Sequence, residues 1–130
     1  MSWGFLNLTP VLGIKVVNPL LEVAYPEKGD LEATLDTGYE GFLLIPCKLF
    51  ERLKFSELKP IKRVLLTADH RKIETVGAYG TIIYPAVNHS NDGLIETNPS
   101  IEETLVGMRG VNGLLTAINT CKKLTWTTKC

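Results

Sequence analysis

A chain of 130 residues with 45% hydrophobic and 22% charged side chains fits one soluble globular domain, residues 1–130, with a modest core. Its 14 basic residues balance its 14 acidic ones, which argues against nucleic acid or an anionic membrane surface as the main partner. Three cysteines (Cys47, Cys121 and Cys130) and two histidines (His70 and His89) lack metal-ligand spacing, no apolar run is long enough to span a bilayer, and no signal segment is evident. The expectation is therefore a cytoplasmic protein without metal or cofactor.

The chain divides into short strands punctuated by turn residues. Trp3 to Leu8 reads as a first strand, and Gly13 to Val17 as a second, ended by Asn18-Pro19. Leu20 to Tyr25 reads as a third, followed by a turn over residues 26–30. Leu31 to Leu35 and Gly41 to Ile45 are β-type runs on either side of Asp36-Thr37-Gly38. Pro46 suits the first position of a short helix over residues 47–53. Arg63 to Thr67 and Lys72 to Val76 form a hairpin around residues 68–71, and Thr81 to Tyr84 is a further strand. The polar stretch from Asn88 to Ser100 reads as turns around a short Leu94-Ile95 strand. Glu103 to Val106 ends apolar and stops at Gly107. Residues 112–119 suit a short helix, and Lys123 to Thr127 a last strand. The sum is an all-β chain with one or two short helices, whose sheet edges must close into a barrel or pair with a second copy.

Asp36 is the residue that points to chemistry. It stands at the end of a hydrophobic strand, where Thr37 and Gly38 turn the backbone at once. Two carboxylates held face to face share one proton and activate a water, and Asp36 is a candidate half of such a pair. Asp-Thr-Gly occurs once, so the other half has to come from a second copy of the chain. The same tripeptide is also an ordinary turn sequence, since Asp and Gly favour turns.

The longer segment Asp36-Thr37-Gly38-Tyr39-Glu40-Gly41-Phe42-Leu43-Leu44-Ile45-Pro46 resembles the active-site segment of retropepsin-like aspartic peptidases, and their prokaryotic single-domain members in particular. Thr67-Ala68-Asp69 resembles the tip of that family's flap hairpin. Leu105-Val106-Gly107 resembles the element that crosses behind the catalytic loop. Gly113-Leu114-Leu115 resembles the start of a short C-terminal helix, and Leu124-Thr125-Trp126 the terminal strand. The resemblance spans about residues 31–126. It implies a closed retropepsin-like β-barrel with a flap hairpin, and an aspartic endopeptidase active as a homodimer, with Asp36 of each subunit in a water-activating dyad. It further implies that Thr37 and Gly38 support the loop. Tyr39, Glu40, Ala68, Asp69 and Gly107 would meet an extended, apolar-rich peptide or unfolded protein.

Tyr39 stands where viral members carry a small residue, and a ring there would crowd the dyad. The alternative is a weak or inactive peptide-binding and dimerisation module on the same fold, caused by Tyr39 or by a flap that cannot close. Other residues read more plainly: His70 as a surface residue near the hairpin tip, Trp3 and Trp126 as packing or interface residues, Glu102-Glu103 as a solvated pair, and Gly107 as the crossing glycine or a tight turn.

Overall fold

The structure, a computed structural model, describes residues 2–5, 10–66 and 70–130. In chain order these hold β1 (Ser2–Gly4), β2 (Val11–Asn18), β3 (Val23–Tyr25), β4 (Leu31–Leu35), β5 (Leu43–Leu44), α1 (Cys47–Arg52), β6 (Ile61–Leu66), β7 (Lys72–Tyr84), β8 (His89–Thr97), β9 (Leu105–Val106), β10 (Leu114–Asn119) and β11 (Leu124–Lys129). Short 3-10 turns lie at Phe55–Glu57, Pro85–Val87 and Met108–Val111. Among the described residues no helix is long and apolar enough to cross a membrane.

Six strands close a ring in the order β2-β4-β9-β5-β8-β7 and back to β2, with β3 added beside β2 and β6 beside β7. The ring contains two parallel pairs, β4 with β9 and β5 with β8. Closure explains why β2 is buried along nearly its whole length: it pairs with β3, β4 and β7, and its Leu12, Ile14 and Val16 enter the core. Facing them are Ala33, Leu35, Leu43, Ile45, Phe50, Phe55, Ile82, Tyr84, Ile95 and Val106. Tyr84 carries its polar tip inward and donates its hydroxyl to the Gly110 carbonyl oxygen at 2.6 Å. Burial pushes its phenol well above the usual range.

Pro46 sits one residue ahead of α1, with the extended φ of −60° that starts a helix without a missing donor. The buried side chain of Asn18, at the end of β2, donates to the Leu53 carbonyl oxygen at 2.9 Å, satisfying the end of the helix.

Three sequence readings are corrected. The third strand starts at Val23, because residues 19–22 form a turn with Glu22 in the left-handed region. Residues 89–97 form one continuous strand, β8, paired residue by residue with β7. In its polar half Ser90 and Asp92 are exposed while His89, Asn91 and Gly93 are half-buried, and this half is held by Thr81 on Asp92 (2.6 Å) and by Asn91 on the Gly110 and Asn112 carbonyl oxygens. The stretch expected to begin a helix at 112–119 is β10, paired along its whole length with β11. β1 adds to the other side of β11 to make a separate three-stranded sheet. Leu6 to Leu8 of the expected first strand lie outside the described residues.

Candidate active site

Asp36 follows the last residue of β4, and that position is fixed by backbone on both sides. The Leu35 N–H donates to the Pro10 carbonyl oxygen at 2.9 Å, and the Asp36 N–H to the Val106 carbonyl oxygen at 2.9 Å. The side chain then organises its own turn. Asp36 Oδ1 accepts from the Gly38 N–H at 3.0 Å, and the Asp36 carbonyl oxygen accepts from the Tyr39 N–H at 3.2 Å. Asp36 is half-buried, while Thr37, Gly38 and Glu40 are exposed. A Cβ added to Gly38 would stand 3.4 Å from Asp36 Oδ1, so the bare glycine keeps the space above the carboxylate open.

β9 is the strut behind this loop. It lies parallel to β4 and antiparallel to β5, with Leu35 opposite Val106 and Leu43 opposite Val106. The chain leaving β9 then binds the loop three times: Gly107 N–H to Phe42 O at 3.1 Å, Met108 N–H to Tyr39 O at 3.3 Å, and Arg109 N–H to Gly41 O at 3.3 Å. Gly107 is buried, and a Cβ there would run into the Gly41 carbonyl oxygen and stand 2.7 Å from Tyr39. Gly107 is thus where two backbones approach too closely for a side chain, and it packs under the loop without facing open space. That accounts for the Leu105-Val106-Gly107 pattern.

Tyr39 also departs from expectation. Its side chain is only 7% exposed, and its hydroxyl donates to Glu96 Oε2. Glu96, on β8, is 1% exposed and accepts three further bonds: from Arg63 Nε at 2.7 Å and a second Arg63 nitrogen at 2.8 Å, and from Thr75 Oγ1 at 2.8 Å. Burial opposes charge on Glu96, but the bonds from Arg63, Tyr39 and Thr75 outweigh it and hold the carboxyl below its usual range. The bond to Glu96 pushes the Arg63 guanidinium up. Burial, with the Glu96 carboxylate beside it, pushes the Tyr39 phenol far above the usual range. The ring is therefore locked into the protein and not free to fold over Asp36.

Sequence reasoning found Asp36, Thr37, Gly38, Tyr39, Glu40 and Gly107, and all six fall on one loop and its strut. Ala68 and Asp69 lie outside the described residues; His70 beside them is exposed, with φ 63°. Glu96 and Thr75 are not singled out by the sequence, and the basic pair Lys62-Arg63 reads there as a solvated strand flank, whereas Arg63 is paired with buried Glu96. Glu96 lies within the polar stretch, and its only signal is a lone acid between the apolar Leu94-Ile95 pair and a β-branched Thr97. Among the described residues no three His, Cys, Asp or Glu side chains gather as a metal site would require.

The ring of six strands, the strand-end Asp-Thr-Gly loop and the crossing β9 define a retropepsin-like fold. A crystal structure of a retropepsin-like aspartic protease from Rickettsia conorii has this fold, superposing with a TM-score of 0.63 at 14% sequence identity over 96% of this chain and 95% of that one. The chain belongs to the same family as an uncharacterized protein of Archaeoglobus fulgidus, 39% identical over 119 residues that cover 92% of this chain and 93% of the other. No family model matches the chain.

Proposed function

We propose that the protein is an aspartic endopeptidase that works as a homodimer. The observation that carries this reading is the half-buried Asp36, held at a strand end by β9 and by its own Asx turn, with an open approach above Gly38. One such acid per chain calls for a second copy to complete the site. With two Asp36 carboxylates roughly 3 Å apart, as in aspartic proteases generally, both cannot ionise and one proton is shared. The charged member takes a proton from water as general base, and the protonated one polarises the scissile carbonyl. Attack proceeds without a covalent enzyme intermediate, and the titration belongs to the pair. An extended peptide would lie beneath the β6–β7 hairpins of the two copies and be held by backbone hydrogen bonds, as in strand addition.

Burial of Tyr39 weighs against one cause of an inactive module, a ring crowding the dyad; a flap that cannot close is the other cause, and the cleavage assay below separates it. Exposed apolar side chains are available for a partner copy. Leu115, opposite Thr128, and Trp126, opposite Ala117, share the outward face of the three-stranded sheet, with 55% and 44% exposure.

The test is Asp36→Asn on the full chain, assayed on an unfolded, apolar-rich protein from acidic to neutral pH, alongside a transition-state mimic and a size measurement. The expected result is a wild-type dimer whose cleavage the mimic blocks, and a variant that still dimerises but does not cleave. Normal cleavage by the variant, or a strictly monomeric wild type, overturns the reading.

A further inference from the structure

The hairpin that would cover a substrate is weakly held. β6 is the last strand of its sheet, bonded to β7 alone. Against the hairpin lies a cavity of about 770 Å³, lined by Phe50, Phe55, Leu58, Val64 and Val76 among others, and neither Asp36 nor Tyr39 borders it. Little apolar packing therefore fixes the base of β6. What does reach it is Glu96. Arg63 on β6 and Thr75 on β7 are register partners on one face of the hairpin, and both bond Glu96. Tyr39 donates to the same carboxylate, at the oxygen Oε2 that also accepts from Arg63, and it stands only three residues after Asp36, where its N–H closes the turn on the Asp36 carbonyl oxygen.

We propose that Glu96 is a positioning residue: a buried tether that ties the loop carrying Asp36 to the base of the β6–β7 hairpin, through Tyr39 on one side and Arg63 and Thr75 on the other. The inference rests on the peptidase reading for its catalytic consequence, but the tether itself is a property of the fold. A single carboxylate fixes both the floor that bears the acid and the arm that covers the substrate. A change at one is felt at the other, although Tyr39 and Arg63 lie on different elements. Substrate touches neither Glu96 nor the Tyr39 hydroxyl, because both are buried. Loosening the tether should therefore lower turnover and leave substrate binding nearly unchanged.

Tyr39→Phe keeps the packed ring and removes only the donor. In the full-length variant, amide exchange over residues 38–42 should rise about tenfold, as expected for one lost buried bond, while β10–β11 stays as in wild type. Its kcat should fall about tenfold or more with KM held within about twofold, since misplacing a reacting group costs at least that much. Glu96→Gln should raise exchange in residues 38–42 and in β6 together. Should Glu96→Gln fail to fold, Tyr39→Phe decides alone. Unchanged exchange at 38–42 in Tyr39→Phe overturns the tether. Raised exchange with kcat unchanged overturns its role in positioning. A wild type that cleaves nothing overturns the peptidase reading, and exchange then decides the tether alone.

Discussion

Removing Arg63 tests whether Glu96 is held as a buried ion. Arg63→Met keeps a long apolar stem in place and takes away the guanidinium. Breaking a buried pair from one side typically costs about 3–5 kcal/mol, because the surviving charge is left without its counterion. Two features reduce that here. Arg63 is about one-third exposed, so water already screens part of the attraction, and Glu96 keeps the Tyr39 and Thr75 donors. The expected loss at neutral pH is about 2 kcal/mol, or about 1 M in the urea midpoint for a chain of this size. The pH dependence is the sharper part. In the wild type the folded carboxyl titrates below its unfolded value of about 4.3, so its contribution is complete above that pH and is lost as pH falls through the folded value. Without Arg63, burial dominates and the folded carboxyl moves upward, so the variant stops paying for a buried charge once acid protonates it. The gap between wild type and variant should therefore be widest near pH 7 and shrink toward about pH 4. Urea unfolding of both proteins at the two pH values measures it. An equal gap at both, or one below about 0.5 kcal/mol at neutral pH, would refute the description of Glu96 as a buried, paired anion.

Two glycines give opposite expectations. Gly107→Ala drives a methyl into the Gly41 backbone, which cannot swing aside, and should cost about 3 kcal/mol, seen as a lowered thermal midpoint. Gly38→Ala meets only ordinary contact with Asp36 and should change stability by less than about 0.5 kcal/mol while abolishing cleavage, because the methyl occupies the space above the acid. Equal destabilisation by the two would show that the crossing at β9 is misdescribed. Asn18→Ala removes the buried donor to the Leu53 carbonyl oxygen and should cost about 1–3 kcal/mol in urea unfolding, and a loss under about 0.5 kcal/mol would mean that the helix end is satisfied otherwise.

Most of the fold was legible where sequence pattern and partner agreed. Leu31 to Leu35 reads as a strand and is one, because its apolar end points into a core that β2 and β9 complete. Two failures share a cause. His89 to Gly93 is polar and Leu114 to Asn119 is ambiguous in period, so local propensity argued for turns in one and a helix in the other. Each became a strand because a neighbour offered a full ladder: β7 for the first and β11 for the second. A paired backbone overrides weak local preference: each partner is the adjoining arm of a hairpin, but the ladder between the arms does not show in either segment's own composition.

The site divides along the same line. Asp36, Thr37 and Gly38 were legible because a strand-end acid followed by a turn is a local pattern, and Asp36 does build that turn with its own carboxylate. Tyr39 was legible as an unusual residue, but its hydrogen-bond partner was not. A ring next to an acid suggests crowding when only neighbours in sequence are considered. The phenol in fact bonds a carboxylate 57 positions away, which in turn holds an arginine 33 positions back. A tyrosine at this place is therefore compatible with an open acid only because Glu96 draws its hydroxyl into the protein. It follows that Tyr39 and Glu96 constrain each other: Glu96→Leu in a chain that keeps Tyr39 and Arg63 would bury a phenol and a guanidinium without the carboxylate that both bond, whereas the same change combined with Tyr39→Phe and Arg63→Met would leave an apolar cluster of similar shape, and replacing a buried ionic group as a whole is often neutral in stability. The triple variant should therefore be more stable than Glu96→Leu alone, and that ordering follows only if the three side chains act as one unit.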